Sequence, residues 1–226
     1  YHVMVLTETG KLFGTGSNAN GRLGSFDVNF QFEFKQVDLS HLEDTFVSYV
    51  ACGSNTTIIL TDKNRVYGCG LNLHGELGLK YTYVEKFTLI PLNLNSDVRK
   101  IYCGMNHTMI LNEANNLYSS GLNDDGQLGL GHNNKIYEFT LVPFSKNISE
   151  VSLSYNHSII STLNGEVFYS GSKVWDDCIF SINKTCIFTK LPFSENVVSA
   201  FVGRSSIFIF TEDTDYTDYT DDMDID

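Results

Sequence analysis

The chain is short of several residue types that mark particular classes of protein. Its 226 residues include only three prolines, one tryptophan and five cysteines, and the cysteines form no Cys-x-x-Cys pair. An odd number of cysteines without metal-ligand spacing is typical of free thiols in a reducing compartment. We therefore predict no disulfide framework, no metal site, and a cytoplasmic or nuclear location.

Long apolar runs and clusters of basic residues are also missing. No stretch approaches the roughly 20 apolar residues that a membrane-spanning helix needs, and the first residues lack the pattern of a secretory signal. No group of lysines and arginines offers the basic stripe that binds phosphate backbones. The sequence therefore predicts no membrane insertion and no direct binding of nucleic acid.

Negative charge is concentrated at the C-terminal end of the chain. The net charge is -12, and eight acidic residues lie within positions 212–226 without any lysine or arginine among them. The preceding residues carry 19 acids against 15 bases. We expect residues 211–226 to form a disordered acidic tail, because so polar a segment buries too little apolar surface to fold. Attraction of this tail to a basic partner is a further hypothesis.

What the chain does contain is a repeated loop signature, Gly-x-Asn-x-x-Gly-x-Leu-Gly, in three copies. The leading glycines are 54 and 51 residues apart, and a degenerate fourth copy begins 50 residues later at Gly171. A period near 50 residues predicts stacked units or propeller blades. The signature positions are Gly16, Asn18, Gly21 and Gly24, then Gly70, Asn72, Gly75 and Gly78, then Gly121, Asn123, Gly126 and Gly129.

Two further markers keep the same register. Each of the three prolines lies 21 or 22 residues after a leading glycine. Fourteen residues before the leading glycines stand His2, Thr56, His107 and His157, and Ser206 continues this series. The repeat therefore spans nearly the whole chain.

Each repeat has the pattern of four short strands. In the third unit, the β-rich segment 98–103 and the apolar segment 108–111 are followed by strand-like segments at 117–119 and 139–142. Pro143 suits the end of the last strand because it donates no ladder hydrogen bond. In the next unit, Asn164-Gly165 predicts a primed hairpin turn. No segment has sustained helical spacing of apolar residues.

We therefore predict an all-β propeller with about four blades of four short antiparallel strands, as an incomplete ring. The units are expected at 1–46, 47–97, 98–147 and 148–196, with a partial unit at 197–210.

The repeated polar residues have structural explanations. Glycines serve loops that need positive backbone angles, and the asparagines cap turns through their side-chain amides. The histidines belong to different blades, so we expect local hydrogen bonds and no joint zinc site. Carboxylates at Asp124-Asp125 and Asp176-Asp177 are expected to be solvated, and the serines near Ser154 and Ser205 lack a nucleophile elbow. We predict no catalytic, cofactor-binding or metal-binding residue.

The stretch Cys103-Gly104-Met105-Asn106-His107-Thr108, followed by the loop from Gly121 to Gly131, resembles the regulator of chromosome condensation family. The resemblance covers roughly residues 1–210, and the fourth copy departs from it at residues 173–177. Family members usually close a ring of seven blades, of which this chain supplies little more than four. The resemblance therefore implies the C-terminal portion of a longer propeller, with blades before Tyr1.

For function, the resemblance implies a protein–protein interaction module that presents blade loops to a partner and needs no cofactor. One alternative is a guanine-nucleotide exchange factor for a Ran-type small GTPase. A second alternative is the substrate-recognition propeller of a ubiquitin-ligase-type protein. None of the three readings is an enzyme with catalytic side chains, and the residues that bind a partner are unknown from the sequence.

Overall fold

A computed structural model describes residues 1–25, 27–172, 183–192, 197–203 and 206–211. These residues form 17 β-strands in five sheets and a single 3-10 turn at Ala19–Gly21, with no α-helix among them. In the same residues, no helix has the length and apolar character needed to cross a membrane. The predicted acidic tail beyond Thr211 lies outside the described residues.

In every sheet the strands are antiparallel and follow chain order. The first sheet contains β1 (His2–Leu6), β2 (Leu12–Ser17) and β3 (Phe30–Gln36). The second contains β4 (Val47–Cys52), β5 (Thr56–Thr61), β6 (Val66–Leu71) and β7 (Tyr83–Leu89). The third contains β8 (Val98–Cys103), β9 (His107–Asn112), β10 (Leu117–Gly121) and β11 (Ile136–Leu141).

The fourth sheet contains β12 (Ile148–Leu153), β13 (His157–Thr162), β14 (Val167–Gly171) and β15 (Thr185–Lys190). The fifth contains β16 (Val197–Val202) and β17 (Ile207–Thr211) among the residues described. The prediction of an all-β fold built from four-stranded antiparallel units is confirmed.

The sheets pack face to face, and the burial of their strands follows from this. Every residue of β5, β9 and β13 is buried, because these strands lie inside a sheet that is covered on both faces. The last strand of each sheet is largely exposed, as in β3 and β15. First strands of successive sheets contact one another, β4 with β8, β8 with β12, and β12 with β16.

The hydrophobic core is divided into four clusters, one between each pair of neighbouring sheets. Between the second and third sheets, Ile58, Leu77 and Ile110 are fully buried. Between the fourth and fifth, Ile159 and Tyr169 are fully buried in the same way. Since each buried aliphatic or aromatic side chain contributes about 1.5–3 kcal/mol, these clusters hold neighbouring sheets together.

The turn between β13 and β14 differs from the predicted primed hairpin, so that prediction is wrong. A type I′ turn needs positive φ at both central residues, but of Asn164 and Gly165 only the glycine has one, at 70°. The amide of Gly165 donates to the carbonyl of Thr162 at 3.0 Å. The Thr162 amide donates to the Glu166 carbonyl at 2.9 Å, so three residues connect this bonded pair. The left-handed residue comes last, and Gly165 takes that position without a Cβ penalty.

The corresponding turns of the second and third sheets carry asparagine at the left-handed position and use its side chain to reach the next sheet. Asn64 has φ 56° and Asn115 has φ 61°. Their Oδ1 atoms accept the backbone amides of Val98 and Ile148, each at 2.9 Å. Asparagine therefore serves both the turn and the junction between sheets.

Candidate functional site

The leading glycine of each signature loop lies at the end of the strand that precedes the loop, where the chain passes close to the backbone at the start of the adjacent strand. Gly70 has φ 102°, and a Cβ atom there would lie 2.2 Å from the carbonyl oxygen of Asn55. No side chain fits at that distance, so the position requires glycine. Gly16, Gly121 and Gly171 have the same positive φ and the same close approach to a backbone carbonyl.

The signature asparagines are used inside their own loops. Asn72 Oδ1 accepts the amide of Leu77 at 2.7 Å, and its Nδ2 donates to the carbonyls of Leu79 and Tyr81 at 2.7 and 2.6 Å. Asn123 accepts from Leu128 and donates to the carbonyls of His132 and Asn134, and Asn18 accepts from Leu23 at 2.9 Å. Because these amides are buried and bonded, they hold the loop rather than face a partner.

The second and third glycines of each loop pack against the last strand of the following sheet. A Cβ atom at Gly126 would lie 2.5 Å from Cys186 Cα, and one at Gly129 would lie 2.4 Å from the Phe188 ring. The same two contacts join Gly75 to Tyr137 with Gly78 to Phe139, and Gly21 to Glu85 with Gly24 to Phe87. Each loop therefore holds its sheet against the next one through these two glycines, a contact that we call the glycine latch.

The sequence analysis missed the phenylalanines that receive these loops. Phe87, Phe139 and Phe188 each stand four residues before one of the three prolines. That fixed spacing was the available signal. The spacing alone does not say that the ring packs on a glycine of the preceding unit, because that contact joins different sheets.

Two of the repeated histidines, His2 and His107, bond to the next sheet, so the prediction of local hydrogen bonds is wrong for them. His107 Nε2 donates to Ser158 Oγ at 3.0 Å, and Ser158 Oγ donates to the carbonyl of Gln127 at 2.6 Å. His2 forms the same relay through Thr57, at 2.8 Å, to a loop carbonyl of its own unit. Burial lowers the pKa of His107 to about 3 and that of His2 to about 4, so both rings are neutral near pH 7.

The third histidine bonds within its own sheet. His157 Nδ1 lies 2.6 Å from the Tyr169 hydroxyl. The three histidines belong to three different sheets, and within the described ranges no cluster of three or more His, Cys, Asp or Glu side chains is placed to hold a metal ion.

The acidic pair of the third loop forms surface ion pairs. Asp124 lies 3.9 Å from the ammonium of Lys135, and Asp125 lies 3.1 Å from that of Lys184. Exposed pairs of this kind contribute little energy. Asp176, Asp177 and Ser205 lie outside the described residues, while the Ser154 amide donates to the His157 carbonyl at 3.0 Å within a turn.

Glu76 is a buried carboxyl that the sequence analysis did not single out. Its side chain is 1% exposed, and Oε2 accepts the amide of His74 at 2.8 Å. Burial raises the pKa of Glu76 to about 7. Gln127 holds the same place in the third loop and accepts the amide of Asp125 at 3.0 Å.

A cavity of about 550 Å³ lies where the turns between the first two strands of the second, third and fourth sheets come together. We call it the inner-turn cavity. No charged side chain is among the residues around it, which are Tyr1, Cys52–Ser54, Cys103–Met105 and Leu153–Tyr155. Burial raises the pKa of the Cys103 thiol to about 12, so it is not an activated nucleophile.

The repeated four-stranded sheets and their glycine latches define a β-propeller repeat protein. Two family profiles, both described as the regulator of chromosome condensation (RCC1) repeat, match the chain. One matches residues 47–76 and 98–127, and the other matches 63–111 and 115–161. Together they cover just over half of the chain, which belongs to the regulator of chromosome condensation (RCC1) repeat family.

Two curated relatives illustrate the range of proteins that contain such repeats. The X-linked retinitis pigmentosa GTPase regulator of Canis lupus familiaris is 34% identical over 128 residues, 55% of this chain and 13% of its own length. The secretion-regulating guanine nucleotide exchange factor of Bos taurus is 27% identical over 164 residues, 71% of this chain and 35% of its own length. The chain thus spans about a third or less of these relatives.

Solved structures support the fold. Human WBSCR16 superimposes with a TM-score of 0.81 at 23% identity, over 93% of this chain and 57% of that one. Yeast RCC1 (Prp20), solved with Kap60 bound, superimposes with a TM-score of 0.79 at 22% identity, over 90% of this chain and 50% of that one. These likenesses show the β-propeller architecture.

Proposed function

We propose that this chain is a protein–protein interaction module that receives a partner segment at the inner-turn cavity. The observation that carries the proposal is a contrast between backbone and side chains in the three turns of that cavity. In each turn a backbone amide donates a hydrogen bond to the carbonyl three residues later in the chain. The donors are Gly53 at 2.9 Å, Gly104 at 2.8 Å and Ser154 at 3.0 Å. The backbone is thus repeated from turn to turn.

The side chains at the tips of these turns are not repeated. Ser54, Met105 and Tyr155 occupy one position and differ in size and polarity. Variable side chains on a rigid scaffold suit recognition of a nonrepetitive partner. By contrast, the repeated asparagines and glycines are engaged in holding the loops and sheets together.

The chemistry of the cavity favours an uncharged segment of the partner. Met105 adapts to irregular shapes, and Tyr155, 39% exposed, offers an aromatic face with a polar hydroxyl. Since no charged side chain lines the cavity, a partner residue with a buried charge would lose its hydration without gaining an ion pair. An aliphatic or aromatic partner segment therefore fits best.

The test compares partners captured from native cell extract by three forms of the chain. Met105→Ala combined with Tyr155→Ala removes the variable side chains, whereas Tyr83→Ala removes a 50% exposed tyrosine on the outer strand β7. Proteins held by the wild type and by Tyr83→Ala but lost from the double variant would support the proposal. Equal capture by all three forms, with unchanged circular dichroism, would refute it.

Guanine-nucleotide exchange on a Ran-type GTPase is the second candidate, favoured by the 27% identity to a relative named as an exchange factor. An exchange factor binds the nucleotide-free GTPase best, so nucleotide and factor weaken each other's binding. A bound GTPase should therefore leave the captured complex on washing with GTP and magnesium, and release of fluorescent GDP should accelerate. An adaptor, including one of a ubiquitin ligase, would keep its partners through the same wash.

A further inference from the structure

A second cavity, of about 630 Å³, lies beside the last strands of the second and third sheets. We call it the outer-strand groove. It runs between Gly78–Tyr81, at the end of the second signature loop, and Tyr137–Phe139 of β11, and Leu89 and Pro91 also line it. The groove shares no residue with the inner-turn cavity. It is therefore a separate surface on the outer strands.

The next junction along the chain shows how the edge of a last strand is covered. Between the third and fourth sheets, Leu130 pairs with Ile187 of β15 in an isolated antiparallel bridge. The amide of Gly131 donates to the carbonyl of Cys186 at 2.8 Å. The third loop thus lays a short extended segment along the edge of β15, and Leu130 packs against the core between these two sheets.

The second loop leaves the equivalent edge of β11 open. Tyr137 is the counterpart of Cys186, because each lies against the second glycine of the preceding loop. Among the described residues, which include both segments, no backbone bond outside the strand ladders joins Gly78–Tyr81 to β11. The second loop is one residue shorter than the third between its last glycine and the strand residue opposite its leading glycine, Val84 and Ile136 respectively. The edge of β11 therefore lacks the loop partner that β15 has.

The side chains of the groove combine aromatic faces with one charge of each sign. Tyr81 is 65% exposed and Tyr137 is 55% exposed, and a tyrosine offers an apolar ring with a polar tip. Neither Lys80 nor Glu138 has an ion-pair partner within the part of the chain that the structure describes. An acidic and a basic residue of a partner would each meet an opposite charge here.

We propose that the outer-strand groove binds an extended segment of a partner protein, which adds to the edge of β11 as Leu130 and Gly131 add to β15. In such strand addition, main-chain hydrogen bonds give affinity and side-chain pockets give specificity. The segment carries an aliphatic or aromatic residue to contact the tyrosines, an acidic residue for Lys80 and a basic residue for Glu138. The chain's own end does not match, because residues 212–226 hold eight acids and no lysine or arginine.

The test selects random peptides displayed on phage against the full chain. A loop graft, in which residues 130–135 replace residues 79–83, gives the second junction the loop of the third and should close the groove. We expect peptides that bind the chain but not the graft, with an acid and a base flanking an apolar residue. A bound peptide should slow amide hydrogen exchange along β11 and leave exchange along β15 unchanged.

Charge reversal tests the assigned contacts without disturbing the core. Lys80→Glu should weaken a selected peptide by roughly threefold to tenfold, and the same peptide with its acid changed to lysine should regain binding. Tyr83→Ala, which removes an exposed tyrosine of β7 outside the groove, is the matched control and should bind like the wild type.

The proposal is overturned if no peptide that depends on the groove is enriched, if the graft retains the selected peptides, or if exchange along β11 does not change. Two further outcomes would overturn it by showing another occupant. Faster exchange along β11 after deletion of residues 212–226 would assign the groove to the chain's own end. Self-association in sedimentation that Lys80→Glu abolishes would assign it to a second copy.

Discussion

Thr57 and Thr108 occupy the same place in consecutive sheets, but only Thr57 meets a histidine. Thr57 Oγ1 accepts from His2 and donates to the Arg22 carbonyl at 2.6 Å. The residue aligned with His2 in the next unit is Thr56, and its shorter side chain leaves Thr108 Oγ1 buried without a nitrogen or oxygen partner, beside the Cys103 thiol.

This difference predicts unequal effects of one isosteric substitution. Thr57→Val breaks two hydrogen bonds and leaves the Arg22 carbonyl with only the weak donor Cys69 Sγ, at 3.5 Å, so the free energy of unfolding should fall by about 1–3 kcal/mol. Thr108→Val removes a buried hydroxyl that has no nitrogen or oxygen partner and should leave the free energy of unfolding unchanged or raise it. Urea denaturation of both variants measures the contrast. Equal losses of unfolding free energy in the two variants would mean that the hydrogen bonds through Thr57 add nothing to stability.

The buried carboxyl of Glu76 predicts a pH-dependent stability. Its pKa rises from 4.5 to about 7 in the folded chain because burial disfavours the carboxylate. The protonated form is therefore favoured by folding, and stability present below about pH 4.5 is lost as the pH rises through about 7. Glu76→Gln keeps the bond to the His74 amide and should stabilise the chain by on the order of 2 kcal/mol at pH 8.

The reverse substitution at the equivalent position is the control for Glu76. Gln127→Glu should lower stability at pH 8 and have less effect at pH 5, because a second buried carboxyl is introduced. Thermal melts from pH 5 to 8 follow both variants. A Glu76→Gln effect that does not depend on pH would contradict the prediction.

His107 should remain neutral in mild acid. Burial, followed by the nearby His157, lowers its pKa to about 3, whereas the unfolded side chain takes up a proton near pH 6.5. Stability is therefore lost progressively as the pH falls from about 6.5 towards 3. NMR titration of the imidazole resonances should show no protonation of His107 at pH 5. Protonation at that pH in the folded chain would refute this.

Gly126 and Gly131 have nearly the same backbone angle, so comparing substitutions at the two positions distinguishes the cost of close packing from the cost of the backbone conformation. Gly126 has φ 86° and Gly131 has φ 85°. A Cβ atom at Gly126 would lie 2.5 Å from Cys186 Cα, whereas at Gly131 the nearest atom, Ile187 Cγ2, is 3.8 Å away. Gly131→Ala should cost about 1 kcal/mol for its backbone angle alone, and Gly126→Ala should cost at least about 2 kcal/mol more because backbone must move. Chemical denaturation measures both, and similar values would argue against a tight latch.

The all-β fold and its four-stranded units could be predicted because strand patterning and loop spacing are local properties that repeat along the chain. The latch could not, since Gly129 meets Phe188 across a junction of sheets, and no periodicity specifies which face of a strand receives a loop. The prediction of a primed hairpin turn at Asn164 was wrong for a related reason. The dipeptide suits two turn types, and the length of the connection decides between them.

Within the candidate site, the sequence indicated that the asparagines serve their turns, and the side chain of Asn72 bonds only backbone groups of its own loop in the hydrogen bonds given above. The inner-turn cavity could not be recognised from the sequence, because Ser54, Met105 and Tyr155 occupy the same position in three repeats but have dissimilar side chains. A surface made of dissimilar residues leaves no motif. It becomes recognisable only when the turns that carry them are brought together.

Each latch points in one direction, from the loop of one sheet to the last strand of the next. A stretch of about 50 residues therefore contains both a loop that packs on the next sheet and a last strand on which the loop of the preceding sheet packs. Duplication of such a stretch within a gene inserts a unit that fits both of its new neighbours without compensating changes. The geometry thus makes a propeller of this kind able to grow by whole blades, while single side chains at the turn tips can change without disturbing the contacts between sheets.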